Sequence, residues 1–164
     1  MNIYILVEIS KREFDSNLLL AFLSVLDGNE VVLSNFENYS FLDSIAKLKP
    51  GIFHTKSLAH GVKKRNFHNS LKKKNFLLTS IDEEASLINE DLTSYVETRY
   101  SNKDLDIVDK VFCWGQQDYE FLKKKFPIHQ SKFVLSGSPR IDLSNSFFKS
   151  FWNYKKSDDE NQIL

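Results

Sequence analysis

The sequence predicts a doubly wound α/β fold around a six-stranded, mainly parallel, Rossmann-like sheet. Two observations predict it. Short, largely apolar runs recur along the chain, of the kind shown by parallel strands buried on both faces. The stretches between them are long enough for a helix, and strand–helix–strand units of that length close by right-handed crossovers into a parallel sheet.

The expected strands are Ile3 to Val7, Glu30 to Leu33, Gly51 to His54, Phe76 to Thr79, Lys110 to Trp114 and Lys132 to Leu135. A first helix is expected from about Asp15 to Asp27. Asp15 or Ser16 can cap it, Leu18, Leu19, Phe22 and Leu26 form an apolar stripe, and Gly28 supplies the stop. A second, about Asn38 to Lys47, ends before Pro50. A third, about Val62 to Lys74, turns Val62, Phe67 and Leu71 inward. One or two short helices are expected within Leu87 to Val108, and the crossover Gln116 to Phe126 is closed by Pro127. Residues 1–143 form the domain. In the remainder, 144–164, Phe147, Phe148, Phe151 and Trp152 are spaced for one helix face, which either docks on its own domain or serves a neighbouring one. A polar end follows.

At 164 residues the chain fits one domain able to bury roughly 70% of the surface its unfolded form exposes. The 22 Lys and Arg balance the 22 Asp and Glu, so composition gives no argument for a nucleic acid partner. The basic runs Lys63-Lys64-Arg65, Lys72-Lys73-Lys74 and Lys123-Lys124-Lys125 read as solvated helix faces, with a phosphate-bearing lipid or polymer as the alternative. No run approaches the ~20 apolar residues of a transmembrane segment. Asn2 to Val7 lacks the basic start and small-residue cleavage site of a signal peptide, so the expected location is cytoplasmic. Cys113 is the single cysteine, which leaves no intrachain disulfide and no cysteine cage for a metal. Inside an apolar run it reads as a buried, inert thiol.

In open α/β sheets ligands bind beyond the carboxyl ends of the strands. Those ends should place Glu8, His54, Asp82 and Gly137 along one edge. Nearby stand Lys11-Arg12-Glu13, Lys56-Ser57, Glu83-Glu84 and Ser138-Pro139-Arg140-Ile141-Asp142. Adjacent acids repel one another, so one of Asp82, Glu83 and Glu84 is expected to hold a raised pKa and serve as a base near neutral pH. His54 closes a strand, which suits either a site role or a structural hydrogen bond. His68 and His129 lie in polar contexts and read as surface residues. The histidines, His60 included, lack zinc-site spacing. No Gly-x-Gly-x-x-Gly follows the first strand, no Walker loop is present and no Gly-x-Ser-x-Gly elbow occurs. No cofactor is expected.

Several segments, in order, resemble the surface carbohydrate biosynthesis protein family. They are Ile5-Leu6-Val7-Glu8, Arg12-Glu13-Phe14-Asp15-Ser16, Lys56-Ser57-Leu58, Asp82-Glu83-Glu84, Phe112-Cys113-Trp114-Gly115 and Ser136-Gly137-Ser138-Pro139-Arg140-Ile141-Asp142-Leu143. The likeness runs from Met1 to about Leu143. Its last motif is similar to a segment of teichoic acid glycerophosphotransferases and UDP-N-acetylglucosamine 2-epimerases, where it closes the N-terminal domain of a GT-B-type fold. The family usually has glycine soon after its Asp-Glu-Glu, whereas Ala85 and Ser86 stand here.

The resemblance implies the acceptor-side half of a metal-independent, bacterial glycosyltransferase-like protein that builds surface polysaccharide. The second domain, which grips most of the nucleotide-activated sugar donor, is missing from this sequence, so the resemblance implies half of an active site. The chain would be a truncated gene product, a fragment, or one subunit of a split enzyme whose partner chain carries that domain. The expected base is a carboxylate of the triplet, Asp82 first, with Glu83 and Glu84 beside it. His54 and Lys56 would position the carbohydrate acceptor or its phosphate, with Glu8, Arg12 and Ser138 in the same substrate-binding set. Gly137 would let the backbone approach the donor, and Arg140 would offer a fork to an anionic group. Gly137-Ser138-Pro139 also reads as a plain turn, and Arg140 with Asp142 as a simple pair. The alternatives are a non-catalytic domain that binds a carbohydrate or a partner chain, and half of a sugar-nucleotide epimerase. A peripheral place at the inner membrane face is compatible with all of these.

Overall fold

Residues 1–35, 47–58, 61–84 and 92–148 are described by a computed structural model of the chain. Six strands, β1 (Asn2–Leu6), β2 (Glu30–Ser34), β3 (Ile52–Thr55), β4 (Leu77–Ile81), β5 (Lys110–Cys113) and β6 (Phe133–Leu135), form one sheet in the order β2-β1-β3-β4-β5-β6. Every pairing is parallel. The helices are α1 (Ser10–Leu26), α2 (Val62–Lys73), α3 (Leu92–Arg99), α4 (Asn102–Ile107), α5 (Gln116–Lys125) and the single turn α6 (Pro139–Asp142). The sheet is the Rossmann-like, doubly wound one that the alternation predicts. The helix expected from Asn38 to Lys47 lies almost wholly outside the described residues, as do Phe151 and Trp152.

Strand order decides which face each helix covers. The chain steps from β1 to β2 in one direction and from β3 through to β6 in the other. Right-handed crossovers of opposite direction lie on opposite faces, so α2 to α5 share one face and α1 takes the other. The core follows this division. Tyr4, Phe53, Leu78, Val111 and Cys113 from alternate strand positions pack with Leu71, Val96, Leu105 and Leu122 of the four helices. Phe53, Leu71, Leu78 and Leu105 are fully enclosed, each contributing about 1.5–3 kcal/mol by its burial. Gly51 sits where β3 meets β1; a Cβ there would fall 2.1 Å from the Asn2 carbonyl oxygen, so no larger residue fits.

Helix α1 departs from the pattern its sequence suggests. It starts at Ser10, so Asp15 and Ser16 lie inside it and cap nothing. The residues turned to the sheet are Glu13, Ser16, Asn17 and Ala21, while Leu18, Phe22 and Leu26 are 48%, 58% and 67% exposed. The stripe therefore points outward. Specific bonds offset this arrangement: the Asn17 amide donates to the Leu6 carbonyl at 3.4 Å, and Glu13 is held as described below. Val62, expected inward, is 70% exposed at the first turn of α2, whereas Phe67 and Leu71 do face the core. His68 and His129 are buried, not surface residues. His68 lies one position from Phe67 with the rings 5.8 Å apart, and His129 approaches Asp106 at 3.5 Å. No described helix is long and apolar enough to cross a membrane.

Opposite burial of two phenylalanines makes this orientation testable. Phe53→Ala should lower the urea-unfolding free energy by about 3–5 kcal/mol, whereas Phe22→Ser should change it by no more than about 0.5 kcal/mol. A large loss at Phe22 would mean that α1 is turned the other way.

Candidate functional site

All six strands end along one edge, and their connections bring ionisable side chains from distant positions together there. The innermost is Glu13, 0% exposed in the first turns of α1. Its Oε2 accepts from the backbone N–H of Glu8 at 2.8 Å and of Ile9 at 3.3 Å, donors that a helix start leaves open. Its Oε1 accepts from Arg12 Nη2 at 2.7 Å and lies 3.8 Å from Lys56 Nζ. Lys56 also pairs with Glu8. Arg12 reaches on to Glu84 at 3.1 Å, and Glu84 meets Arg99 of α3 at 2.6 Å. Arg99 in turn forks onto Asp82 through Nε at 2.8 Å and Nη2 at 2.9 Å. Sequence reasoning had no means of finding Arg99, because its partners lie 17 and 15 positions earlier.

Side-chain partners divide the acidic triplet, which lies past the end of β4 and turns at Glu83 and Glu84. Arg99 engages Asp82 and Glu84, while Glu83 lies with Ile81 on the α1 side. The side chain of Glu83 is 2% exposed, and among the described residues its Oε2 has no hydrogen-bond partner. Burial raises its pKa to about 7, and the charge of Glu13 adds to the rise. Its backbone is fixed on both sides: the N–H donates to the Lys56 carbonyl at 3.0 Å, and the carbonyl accepts from Arg140 Nη1 at 3.3 Å. Arg140 thus binds Glu83, not Asp142, in this arrangement. Glu83 is among the residues that line a cavity of about 290 Å³, which opens between α1 and the sheet. Ile3, Leu20, Ile52, Ile81 and Phe112 give it apolar walls, and His54, Thr79, Ser136, Gly137 and Asp142 line the rest together with Asn17.

His54 shares this wall. Its Nδ1 and Thr79 Oγ1 are hydrogen-bonded at 2.8 Å, and burial lowers its pKa to about 4. At neutral pH it is an uncharged hydrogen-bonding group and not a proton carrier. Gly137 takes φ +80°, which favours glycine, and its N–H donates to the Cys113 carbonyl at 3.1 Å. The next residue, Ser138, starts α6 with its hydroxyl buried and without a partner among the described residues. A second hollow of about 480 Å³ lies beside the first, lined by Lys11, Arg12, Asp15, Ser16, Arg140, Leu143 and Ser144. Lys64, read from the sequence as a solvated cation, donates to Ser57 Oγ at 2.8 Å, and its pKa is lowered to about 8, chiefly by burial and then by Lys56. Arg65 forks onto Asp104, and Lys72 binds Asp109.

Glu8, Arg12, His54, Lys56, Asp82, Glu83, Glu84, Gly137, Ser138 and Arg140 therefore all lie along one sheet edge. There they divide into an ion-paired layer and a cavity wall. Among the described residues no three His, Cys, Asp or Glu side chains gather into a metal site. No family model, curated protein sequence or solved structure matches this chain.

The position of Glu83 has a consequence for stability. Its pKa of about 7 in the folded chain lies above the ordinary 4.5, so the folded chain keeps a proton that the unfolded chain releases between those values. That contribution is complete below the lower pKa and is lost as pH rises through the higher one. Glu83→Gln cannot ionise. It should therefore gain stability relative to the native chain from about pH 5 to about pH 8, by on the order of 2 kcal/mol after discounting for residual solvent access. His54 and His68, both lowered to about 4 by burial, act in the opposite sense in both proteins, losing stability as pH falls below their ordinary values. They cancel in the comparison. Urea titrations at several pH values measure it, and parallel curves for the two proteins would show that Glu83 is not perturbed.

Proposed function

We propose that this chain is the acceptor-side domain of a metal-independent sugar transferase that builds surface polysaccharide, with Glu83 as its general base. The observation that carries the reading is Glu83 itself: a buried carboxyl at a sheet edge, on a residue that lines a cavity, one oxygen unbonded among the described residues, its pKa near 7. A base is most effective when its pKa lies near the working pH. Asp82 and Glu84 are held by Arg99, which leaves Glu83 as the acid of the triplet suited to proton transfer. The motif resemblance supplies the reaction class.

In the proposed step an acceptor hydroxyl enters the cavity and gives its proton to the Glu83 carboxylate. Its oxygen bonds to the anomeric carbon of the donor as the bond from that carbon to the nucleoside diphosphate breaks. His54 offers a neutral hydrogen-bonding contact to the acceptor. Lys11, Arg12 and Arg140 line the neighbouring hollow and suit an anionic group on acceptor or donor. Glu8 and Lys56 hold the edge in place. Most stabilisation of the departing diphosphate falls to a second, donor-gripping domain, in keeping with a cytoplasmic chain working against the inner membrane face. The apolar character of most of the cavity wall favours a second reading, a carbohydrate- or partner-binding domain without turnover.

Acceptor binding and transfer separate the two. The purified chain should bind an oligosaccharide acceptor yet transfer no sugar from any nucleotide donor on its own. Paired with a donor-binding domain, it should show a rate that rises with pH through about 7. Glu83→Gln should cut that rate by about 10²–10⁴-fold while leaving acceptor affinity nearly unchanged. Turnover that survives in the Gln variant would remove Glu83 from the chemistry, and acceptor binding with no transfer under any pairing would favour the binding module.

A further inference from the structure

We propose that the chain's own C-terminal residues 149–164 dock on the face of the sheet that the described residues leave open, with Phe151 and Trp152 seated in the groove beside α1. The inference rests on the fold and does not depend on the proposed activity. Its starting point is the imbalance of the two faces. Four helices cover one face; among the described residues the other carries α1 and, at the strand-end edge, the short α6. Ile52, Ile81 and Phe112 therefore open onto a groove where a doubly wound sheet would carry a further helix.

Topology narrows what can cover it. The described helices of the connections from β3 to β6 lie over the opposite face, and the described end of the β2–β3 connection is there too. Leu48 packs against the main core, and Tyr4, a residue of that core, donates to the Lys49 carbonyl at 3.0 Å. The chain that follows β6 is different. Pro139 and Asp142 of α6 line the groove, and the turn Ser146–Phe148, where the described residues end, follows within four residues. The sixteen residues from 149 to 164 span about 24 Å even if wholly helical, more than the ~17 Å of a five-residue strand. Phe151, Trp152 and Tyr154 come first, and the polar run Lys155 to Asn161 follows. Aromatic groups thus arrive where the walls are apolar, and charged ones where the chain passes out to solvent. Burying two such rings against Ile52, Ile81 and Phe112 removes apolar area from water on both sides of the contact.

A nitroxide on Ser24→Cys, in the α1 wall of the groove, tests this in the full chain. Cys113 is buried, with its thiol pushed up to about 12, and does not compete for the label. The chain has two tryptophans, Trp114 and Trp152, whose indole N–H signals are told apart with Trp152→Phe. The expected result is loss of the Trp152 signal in labelled, nitrogen-15 chain, and its retention when labelled, unenriched chain is mixed with unlabelled, enriched chain. In a full-length variant carrying Phe151→Ala and Trp152→Ala, dye binding to exposed apolar surface should rise several-fold. A Trp152 signal that survives in the labelled chain would overturn the proposal. Loss in the mixed sample as well would overturn it in favour of a second copy occupying the groove.

Discussion

The strand-end edge depends on one buried carboxylate. Glu13 is completely enclosed, and an enclosed charge is tolerated only when its hydrogen bonds are made. Two backbone N–H groups and the Arg12 guanidinium make them. This arrangement starts α1 close to β1 and sets the height at which the helix crosses the sheet. It also places Arg12 and Lys56 within reach of the other acids. Removing the carboxylate would leave Arg12 half-paired and two backbone donors open, a loss of about 3–5 kcal/mol for a buried pair broken on one side. The polar inner face of α1 has its reason here: the helix is anchored by specific bonds through Glu13 and Asn17 more than by apolar contact.

The same network isolates Glu83. The three acids lie where β4 ends and the chain turns, and the Asp82 carboxylate accepts from the Glu84 N–H at 3.0 Å. Arg99 binds the first and third. The middle one, fixed through its own N–H and carbonyl, is left buried beside the cavity, with no hydrogen-bond partner on its Oε2 among the described residues. Crowding of like charges was the reason to expect a raised pKa in the triplet. Burial is the larger cause, with Glu13 next and Asp82 only a small contribution.

The sheet was legible because each strand is a compact apolar run, and its edge was legible because parallel strands all end on one side. Strand limits shifted by a residue or two, within the normal uncertainty of such boundaries. Three features were not legible, each for a definite reason. The direction of α1 was hidden because its sheet-facing side holds Glu13, Ser16 and Asn17, whose bonds reach residues that periodicity does not see. The burial of His68 follows from its place next to Phe67 and three residues before Leu71 on α2, where the helical repeat carries it toward the core. The choice among Asp82, Glu83 and Glu84 needed Arg99.

Because burial dominates the pKa of Glu83, whatever fills the groove sets its protonation. An apolar occupant such as an aromatic side chain removes the remaining water and drives the pKa higher, so the group keeps its proton. A polyol brings hydroxyl donors to the ionised form and lowers it. The two proposed occupants of one cavity therefore act on the carboxyl in opposite directions. With the tail seated, Glu83 is a neutral acid in an apolar wall, the state in which an isolated buried carboxyl costs least. With an acceptor seated, its hydroxyl groups solvate the carboxylate that has to take the proton. Docking of the tail and base catalysis by Glu83 thus exclude each other on electrostatic as well as steric grounds.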